Sequence, residues 1–152
     1  MAYNTIKLKK YSDVIEEYTA TAVAITPGKL LELTSAGTVQ VHSTEGGNAL
    51  PMFALEDELQ GKGIGDDYAV SSKIQVWIPN RGDQVYAWLK DGETIVIGDY
   101  LMSNGAGRLQ KVDVEVISAA ESVSIVAQAL EALDLSGSSG AESTNRIKVR
   151  II

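Results

Sequence analysis

The sequence predicts a mainly β protein built from two related halves, and two observations carry this prediction. Short apolar and β-branched runs alternate with turn residues along the chain, a pattern typical of about ten short strands. In addition, residues 28–42 recur at 98–112, with five identical residues among 15. The expected fold class is a compact barrel-like or sandwich-like β domain with few short helical turns.

A second pair of blocks follows the first pair in the same order. Residues 73–78 match 146–151 at a spacing of 73, with three identities. Two single positions between the blocks also match, Ala54 with Ala127 and Glu58 with Glu131. We therefore predict two pseudo-repeated halves, about 20–79 and 90–152, that superpose on each other.

The first 17 residues are interpreted as an N-terminal arm, and 18–152 as a single β-rich domain. Ile6 and Leu8 alternate with lysines, which is the period of a strand. Residues 1–11 contain basic side chains and no acidic one. Two interpretations stay open: this strand pairs with the sheet edge of a partner protein, or it is an ordinary edge strand of its own sheet.

The remaining elements follow from alternation and turn signals. Asn104-Gly105 is the strongest hairpin signal in the chain, and Gly37 is expected to supply a positive φ in the equivalent hairpin. Residues 123–133 fit either a strand or a helix, and a strand at 123–129 is favoured. The other predicted strands are 17–25, 30–33, 38–42, 100–102, 108–112, 73–78 and 146–151, and 79–92 is interpreted as a connector.

Composition excludes several classes of function. The chain has no cysteine, so disulfide and thiolate chemistry are not available to it. Its net charge of −7 argues against nucleic acid as a main partner, because phosphate binding needs clustered lysine and arginine. No apolar run approaches the roughly 18 residues of a membrane span, and the N-terminus does not match a signal peptide. No membrane partner is therefore expected.

Catalytic and metal-binding patterns are weak. His42 is the single histidine, and its alternation with Gln40 predicts that it faces solvent. A hydrolase using His42 with Asp66 or Asp67 is an alternative function, but no nucleophile motif supports it. The acidic residues near Asp66 do not have the spacing of a calcium loop. We therefore assign no catalytic residue, no metal site and no cofactor.

Three aromatic residues are candidates for an interface: Trp77, Tyr86 and Trp88. Trp77 lies opposite the apolar stripe of its strand, and its repeat counterpart is Arg150, so we expect Trp77 to be partly exposed. If the three formed an exposed strip, a module that binds glycan or peptide would be an alternative function.

Several segments together resemble the capsid decoration, or cement, proteins of tailed bacteriophages. These are the hairpin G-x-x-x-x-L-T-x-x-G at 28–37, M-F-A-L-E-D at 52–57, I-V-A-Q-A-L-E-A at 125–132 and I-K-V-R-I at 147–151. The resemblance covers residues 18–152. It implies a barrel-like or tulip-like β domain that forms oligomers, often trimers.

The resemblance also implies a structural virion protein on the outer capsid surface, which cements neighbouring subunits of the major capsid protein. In that family N-terminal arms tie neighbouring capsomers together. The expected capsid-binding residues are those of the arm: Tyr3, Ile6, Lys7, Leu8, Lys9, Lys10 and Tyr11. The expected oligomer or shell interface is the aromatic set of Trp77, Tyr86 and Trp88.

Overall fold

The structure is a computed structural model that describes residues 2–9, 13–21, 23–113, 122–138 and 145–152. The described strands are β1 (Lys7–Lys9), β2 (Ile15–Thr19), β3 (Leu31–Leu33), β4 (Val39–Val41), β5 (Phe53–Ala54), β6 (Lys73–Trp77), β7 (Gln84–Trp88), β8 (Thr94–Ile95), β9 (Tyr100–Ser103), β10 (Leu109–Lys111), β11 (Ile125–Ala129), β12 (Leu133–Asp134) and β13 (Arg146–Ile151). One 3₁₀ helix spans Glu58–Gln60. Within these ranges, no helix has the length and apolar character that crossing a bilayer requires.

The strands form two sets with the same order, as the repeat predicts, but the sets begin at β2 and β7, before the predicted starts of the halves at about 20 and 90. The second half runs β7-β13-β11-β9-β10 in one antiparallel sheet, and β1 is added outside β7. The first half runs β2-β6-β5, and a bridge between Leu30 and Phe53 continues it to the β3-β4 hairpin. β7 is therefore the counterpart of β2. The prediction that 79–92 is a connector is wrong, because β7 is an interior strand of the larger sheet.

The two hairpins have identical registers. Leu31 lies opposite Val41 in the first half, and Leu101 lies opposite Lys111 in the second, which is the same pairing displaced by the repeat spacing. Their turns are also alike. The side chain of Thr34 accepts hydrogen bonds from the amides of Ala36 and Thr38, and the side chain of Asn104 accepts them from Ala106 and Arg108. The predicted duplication is confirmed at this level.

The single matches between the blocks need correction. The Gly28 amide donates to Ala54 O in the first half, and the Gly98 amide donates to Ala129 O in the second. Ala54 therefore corresponds to Ala129, and not to Ala127 as predicted. The same shift of two residues pairs Glu131 with Glu56 in place of Glu58.

Each half rolls up, but neither closes into a barrel in the described residues. A single parallel bridge joins the end of β2 to β4 at Ala20 and Val39, and another joins the end of β7 to β10 at Leu89 and Leu109. One bridge per half is less than a ladder, so the predicted mainly β fold is confirmed while a closed barrel is not formed.

The two halves pack against each other through an outer face of the first half. Each half has its own apolar interior, and Ile74 and Val76 of the first correspond to Ile147 and Val149 of the second. Four first-half side chains instead join the second-half cluster: Leu30, Phe53, Leu55 and Trp77. Because they point away from their own interior, they are buried in the cluster that the second half forms.

Candidate functional site

The N-terminal strand packs against its own chain. β1 pairs antiparallel with β7, and the Tyr86 amide donates to Ile6 O at 2.9 Å. Ile6 is 0% exposed, and its amide donates to a carboxylate oxygen of Glu56. Of the two interpretations left open by the sequence, the edge strand of the parent sheet is therefore the one observed.

The predicted capsid-binding residues are consequently placed on the edge of the larger sheet. Tyr3 packs edge-on against Tyr86 with ring centroids 5.2 Å apart, and Lys7 pairs with Asp13 at 3.6 Å. Lys9 is exposed and Leu8 is half-buried. Lys10 and Tyr11 lie outside the described residues.

The counterpart edge, on β2, carries no added strand among the described residues. β2 pairs with β6 on its inner side, where the Ile78 amide donates to Val14 O and the Ala20 amide to Ser72 O. Because backbone groups alternate between the two sides of a strand, those of residues 15, 17 and 19 point outward. In the second half the equivalent side of β7 is occupied by β1. We call the outward side of residues 14–17 the open edge.

The side chains at the open edge are apolar at one end and acidic at the other. Ile15 is 39% exposed and Val14 is similarly exposed, whereas Glu16 and Glu17 are exposed acids. A cavity of about 150 Å³ lies beside Ile15, and its other lining residues are Lys7, Leu55, Glu56, Asp57, Glu58, Leu59 and Gln75. A strand edge that no described strand pairs with, next to this cavity, can accept an extended segment from another protein.

The three predicted interface aromatics are buried in the single chain. Trp77 is 0%, Trp88 2% and Tyr86 8% exposed, so the expectation that Trp77 is partly exposed is wrong. The repeat counterpart Arg150 is exposed, since no described residue of the first half covers its face. Burial also raises the pKa of Tyr86 above its ordinary value.

Trp88 is held between the halves by a cationic side chain. Its indole Nε1 donates to Pro27 O at 2.8 Å, and the guanidinium of Arg146 stacks on the ring at 4.3 Å. Arg146 also donates to Pro27 O and to Ile64 O. Sequence patterns did not single out Arg146, because its role depends on carbonyl groups far from it in the chain.

His42 is 1% exposed, so the prediction that it faces solvent is wrong. Its Nε2 donates to Asn48 O at 3.0 Å, and its Nδ1 lies 2.7 Å from Ser103 Oγ. Glu32 lies nearby, with a carboxylate oxygen 3.7 Å from Nε2. This set has the composition of a serine–histidine–acid triad, but Ser103 is fully buried and its Oγ accepts from the Gly105 amide. The geometry fits a buried polar link between the two halves.

Glu32, the acidic residue beside this link, keeps its charge. Burial raises the pKa of Glu32, but hydrogen bonds from Ser43 and Gln40 outweigh it and hold the pKa below its ordinary value. The carboxylate of Asp66, considered for a cation, accepts a hydrogen bond from the Gly63 amide at 2.7 Å. Among the described residues, no three histidine or acidic side chains gather as a metal ion would require.

A scan against protein-family models and a search of curated proteins found no match to this chain. The arrangement that offers a binding capability is the open edge, with its outward backbone groups, exposed apolar residues and acidic neighbours.

Proposed function

We propose that this protein is a structural binding protein, a decoration protein that holds neighbouring major capsid protein subunits on the outer surface of a phage shell. The resemblance of residues 18–152 to capsid decoration proteins points to the shell as the target, and the observation that carries the binding is the difference between the two halves at their equivalent edges. β1 covers β7 in the second half, and the open edge of β2 has no such strand among the described residues. The missing strand is the position for a partner segment.

The covered edge indicates what the partner segment is like. β1 runs antiparallel to its neighbour and alternates lysine with apolar residues. On the open edge, Glu16 and Glu17 favour a segment that also carries basic side chains. A second copy of β2 would bring like charges together, so a basic extended segment of a shell subunit suits the edge better than self-pairing.

Shell binding of this type does not need a strong single contact. Backbone hydrogen bonds to an added strand give direction and register, and the cavity beside Ile15 can take one apolar side chain. An oligomer that engages several subunits raises avidity by roughly 10²–10⁴ through linkage alone. A symmetric trimer, as the family resemblance implies, would supply this linkage.

The alternative functions have less support. A glycan-binding or peptide-binding module was considered because of exposed aromatics, and the burial of Trp77, Tyr86 and Trp88 removes that reason. A hydrolase was considered through His42 with Asp66 or Asp67, whereas His42 contacts Ser103 and Asn48.

The test blocks the open edge without disturbing the fold. Glu17→Pro removes one outward amide, and proline is tolerated where a strand's N–H faces solvent. Glu17→Ala is the matched control, since it removes the same side chain and keeps the amide. Each protein is sedimented with a panel of expanded and unexpanded tailed-phage capsids stripped of their own decoration proteins.

We expect the parent chain to sediment with expanded capsids, and Glu17→Pro to bind roughly tenfold more weakly, which corresponds to about 1.4 kcal/mol for one lost strand contact. Glu17→Ala should retain most binding and show a weaker salt dependence. Equal loss in the two variants would remove the edge-pairing model, and no sedimentation with any capsid would remove the decoration proposal.

A further inference from the structure

The contact between the two halves is one-sided. The first-half turn at Pro27-Gly28 lies on the second half, where Gly28 O accepts from the Trp88 amide at 3.2 Å. A Cβ added to Gly28 would stand 3.1 Å from the Trp88 ring and 3.3 Å from Arg146 Nε, so the approach is tight. Only glycine allows the backbone to come this close.

The equivalent turn of the second half contacts nothing comparable among the described residues. Ile97 and Gly98 are the counterparts of Pro27 and Gly28, and Ile97 is 69% exposed. A Cβ added to Gly98 would meet no atom within 4 Å. If a two-fold axis related the halves, both turns would be covered equally, so the contact is heterologous.

A second contact repeats this asymmetry. The second-half hairpin turn lies on the first half, where Gly107 O accepts from the Leu30 amide and a Cβ on Gly107 would stand 2.8 Å from Val41 Cβ. Its first-half counterpart, Gly37, has open space around it. The counterpart of Leu30 is Tyr100, which is 51% exposed.

The repeat therefore leaves one unmatched face on each half. We call the second-half surface of Ile97, Gly98, Tyr100 and Lys111 the turn face. We call the first-half surface of Thr19, Leu33, Gly37 and Lys73 the end face. Each is the counterpart of a surface that is buried by the other half inside the chain.

We propose that copies of this protein associate head to tail, with the turn face of one copy on the end face of the next. The contact would repeat the one between the halves. Thr19 occupies the position of Trp88, and its outward amide can donate to Gly98 O. Lys73 occupies the position of Arg146, and its ammonium can reach the carbonyl of Ile97.

The hairpin side of the interface is equally matched. The Tyr100 amide can donate to Gly37 O, as the Leu30 amide does to Gly107 O. The exposed Leu33 of the first half is the counterpart of Ser103, and Val112 of the second half is the counterpart of His42. The buried His42–Ser103 pair of the internal contact is thus replaced by an apolar pair of the same position.

Composition indicates a reversible contact. The internal face of Leu30, Phe53, Leu55 and Trp77 has the counterparts Tyr100, Gln128, Leu130 and Arg150, so its large aromatic residues are replaced by polar ones. Tyrosine and arginine are enriched in the interfaces of proteins that also exist separately, whereas large apolar faces belong to permanent ones. A heterologous contact closes into a ring when its rotation allows, and a trimer of two-part chains would present six similar units.

This inference specifies the self-association within the proposed function, but it rests on the repeat and not on shell binding. The experiment therefore uses purified protein alone. The chain has no cysteine, so introduced cysteines react cleanly. Ile97→Cys and Lys73→Cys are made as two separate proteins, one of them carrying a mass tag, and are mixed with a short bismaleimide. Leu59→Cys, at a side chain 92% exposed and on neither face, is the matched control.

We expect cross-linked heterodimers from Ile97→Cys with Lys73→Cys, at least several-fold above those from Ile97→Cys with Leu59→Cys. Neither protein alone should cross-link to itself above the control level. A chain with both cysteines should give a ladder whose largest closed species reports the copy number of the ring. Heterodimers no more abundant than with Leu59→Cys, or homodimers of Ile97→Cys alone, would overturn the head-to-tail contact. Capsid sedimentation that survives such a result would leave the proposed function standing.

Discussion

At the scale of the residue, Arg146 shows how one side chain holds the two halves together. It is 5% exposed, donates to two carbonyl oxygens of the first half and stacks on Trp88. Burial lowers the pKa of its guanidinium, with Tyr86 and Glu56 acting in the opposite direction. The charge is therefore kept in the interior by its carbonyl partners and the aromatic ring.

We expect Arg146→Ala to lower the free energy of unfolding by about 3 kcal/mol, since two buried carbonyl groups lose their donor and the ring loses its cation. Arg146→Lys should lose less, because the charge remains but the planar fork does not. Urea unfolding measures both. The matched control is Arg150→Ala on the same strand, which is exposed and should change stability by no more than about 0.5 kcal/mol. Equal effects at 146 and 150 would contradict this role.

At the scale of the element, β1 belongs to the fold although its composition resembles a free arm. Alternating lysines make Lys7–Lys9 look solvated, but the buried Ile6 next to it joins the apolar cluster that also holds Leu55 and Val85. Glu56 accepts hydrogen bonds from the Ile6 amide and from Thr5 Oγ1 at its N-terminal end. The strand thus closes the edge of β7 and the cluster beneath it.

Removal of residues 1–9 should therefore lower the thermal midpoint by on the order of 10 °C. Ile6→Ala alone should lower the free energy of unfolding by about 2–5 kcal/mol and the midpoint with it. Lys9→Gln is the control at an exposed neighbour and should leave the midpoint almost unchanged. Differential scanning calorimetry compares the three. A truncated chain that melts with the parent would restore the free-arm interpretation.

At the scale of the whole molecule, duplication produces two halves with the same strands and different surroundings. The position of Trp77 in β6 is the position of Arg150 in β13, and both strands pair in the same register with their neighbours. Trp77 is covered by the other half, whereas Arg150 is exposed. Equivalent residues can therefore diverge in character without any change in local structure.

Substitutions that exchange the residue types at 77 and 150 test whether only one of the two positions is covered. Trp77→Arg should cost more than about 4 kcal/mol, because it removes a buried aromatic ring and introduces a charge without a partner. Arg150→Trp should stay within about 1 kcal/mol of the parent. Chemical unfolding followed by circular dichroism measures both. Similar costs in the two directions would mean that the halves cover each other equally.

Local patterns determined the features of this protein that depend on neighbouring residues. The turns around Gly37 and Gly105 have positive φ values, and the hairpin registers follow the repeat, because turn geometry and pairing are set within a few residues. The strand at 123–129 was also predictable, with β11 covering Ile125–Ala129. The sequence did not predict that Ala129, and not Ala127, is the equivalent of Ala54, because this depends on which carbonyl accepts the hydrogen bond from the Gly98 amide.

Only the tertiary structure decided which faces are buried. How one half sits on the other decides four features: the burial of Trp77, the interior position of His42, the pairing of β1 with β7 and the open edge of β2. Burial is a property of segments distant in sequence, and two halves with the same local pattern carry the same local signal. An asymmetric contact between them is therefore invisible in the repeat, and it leaves the two unmatched faces and the open edge at which we place the partners of this protein.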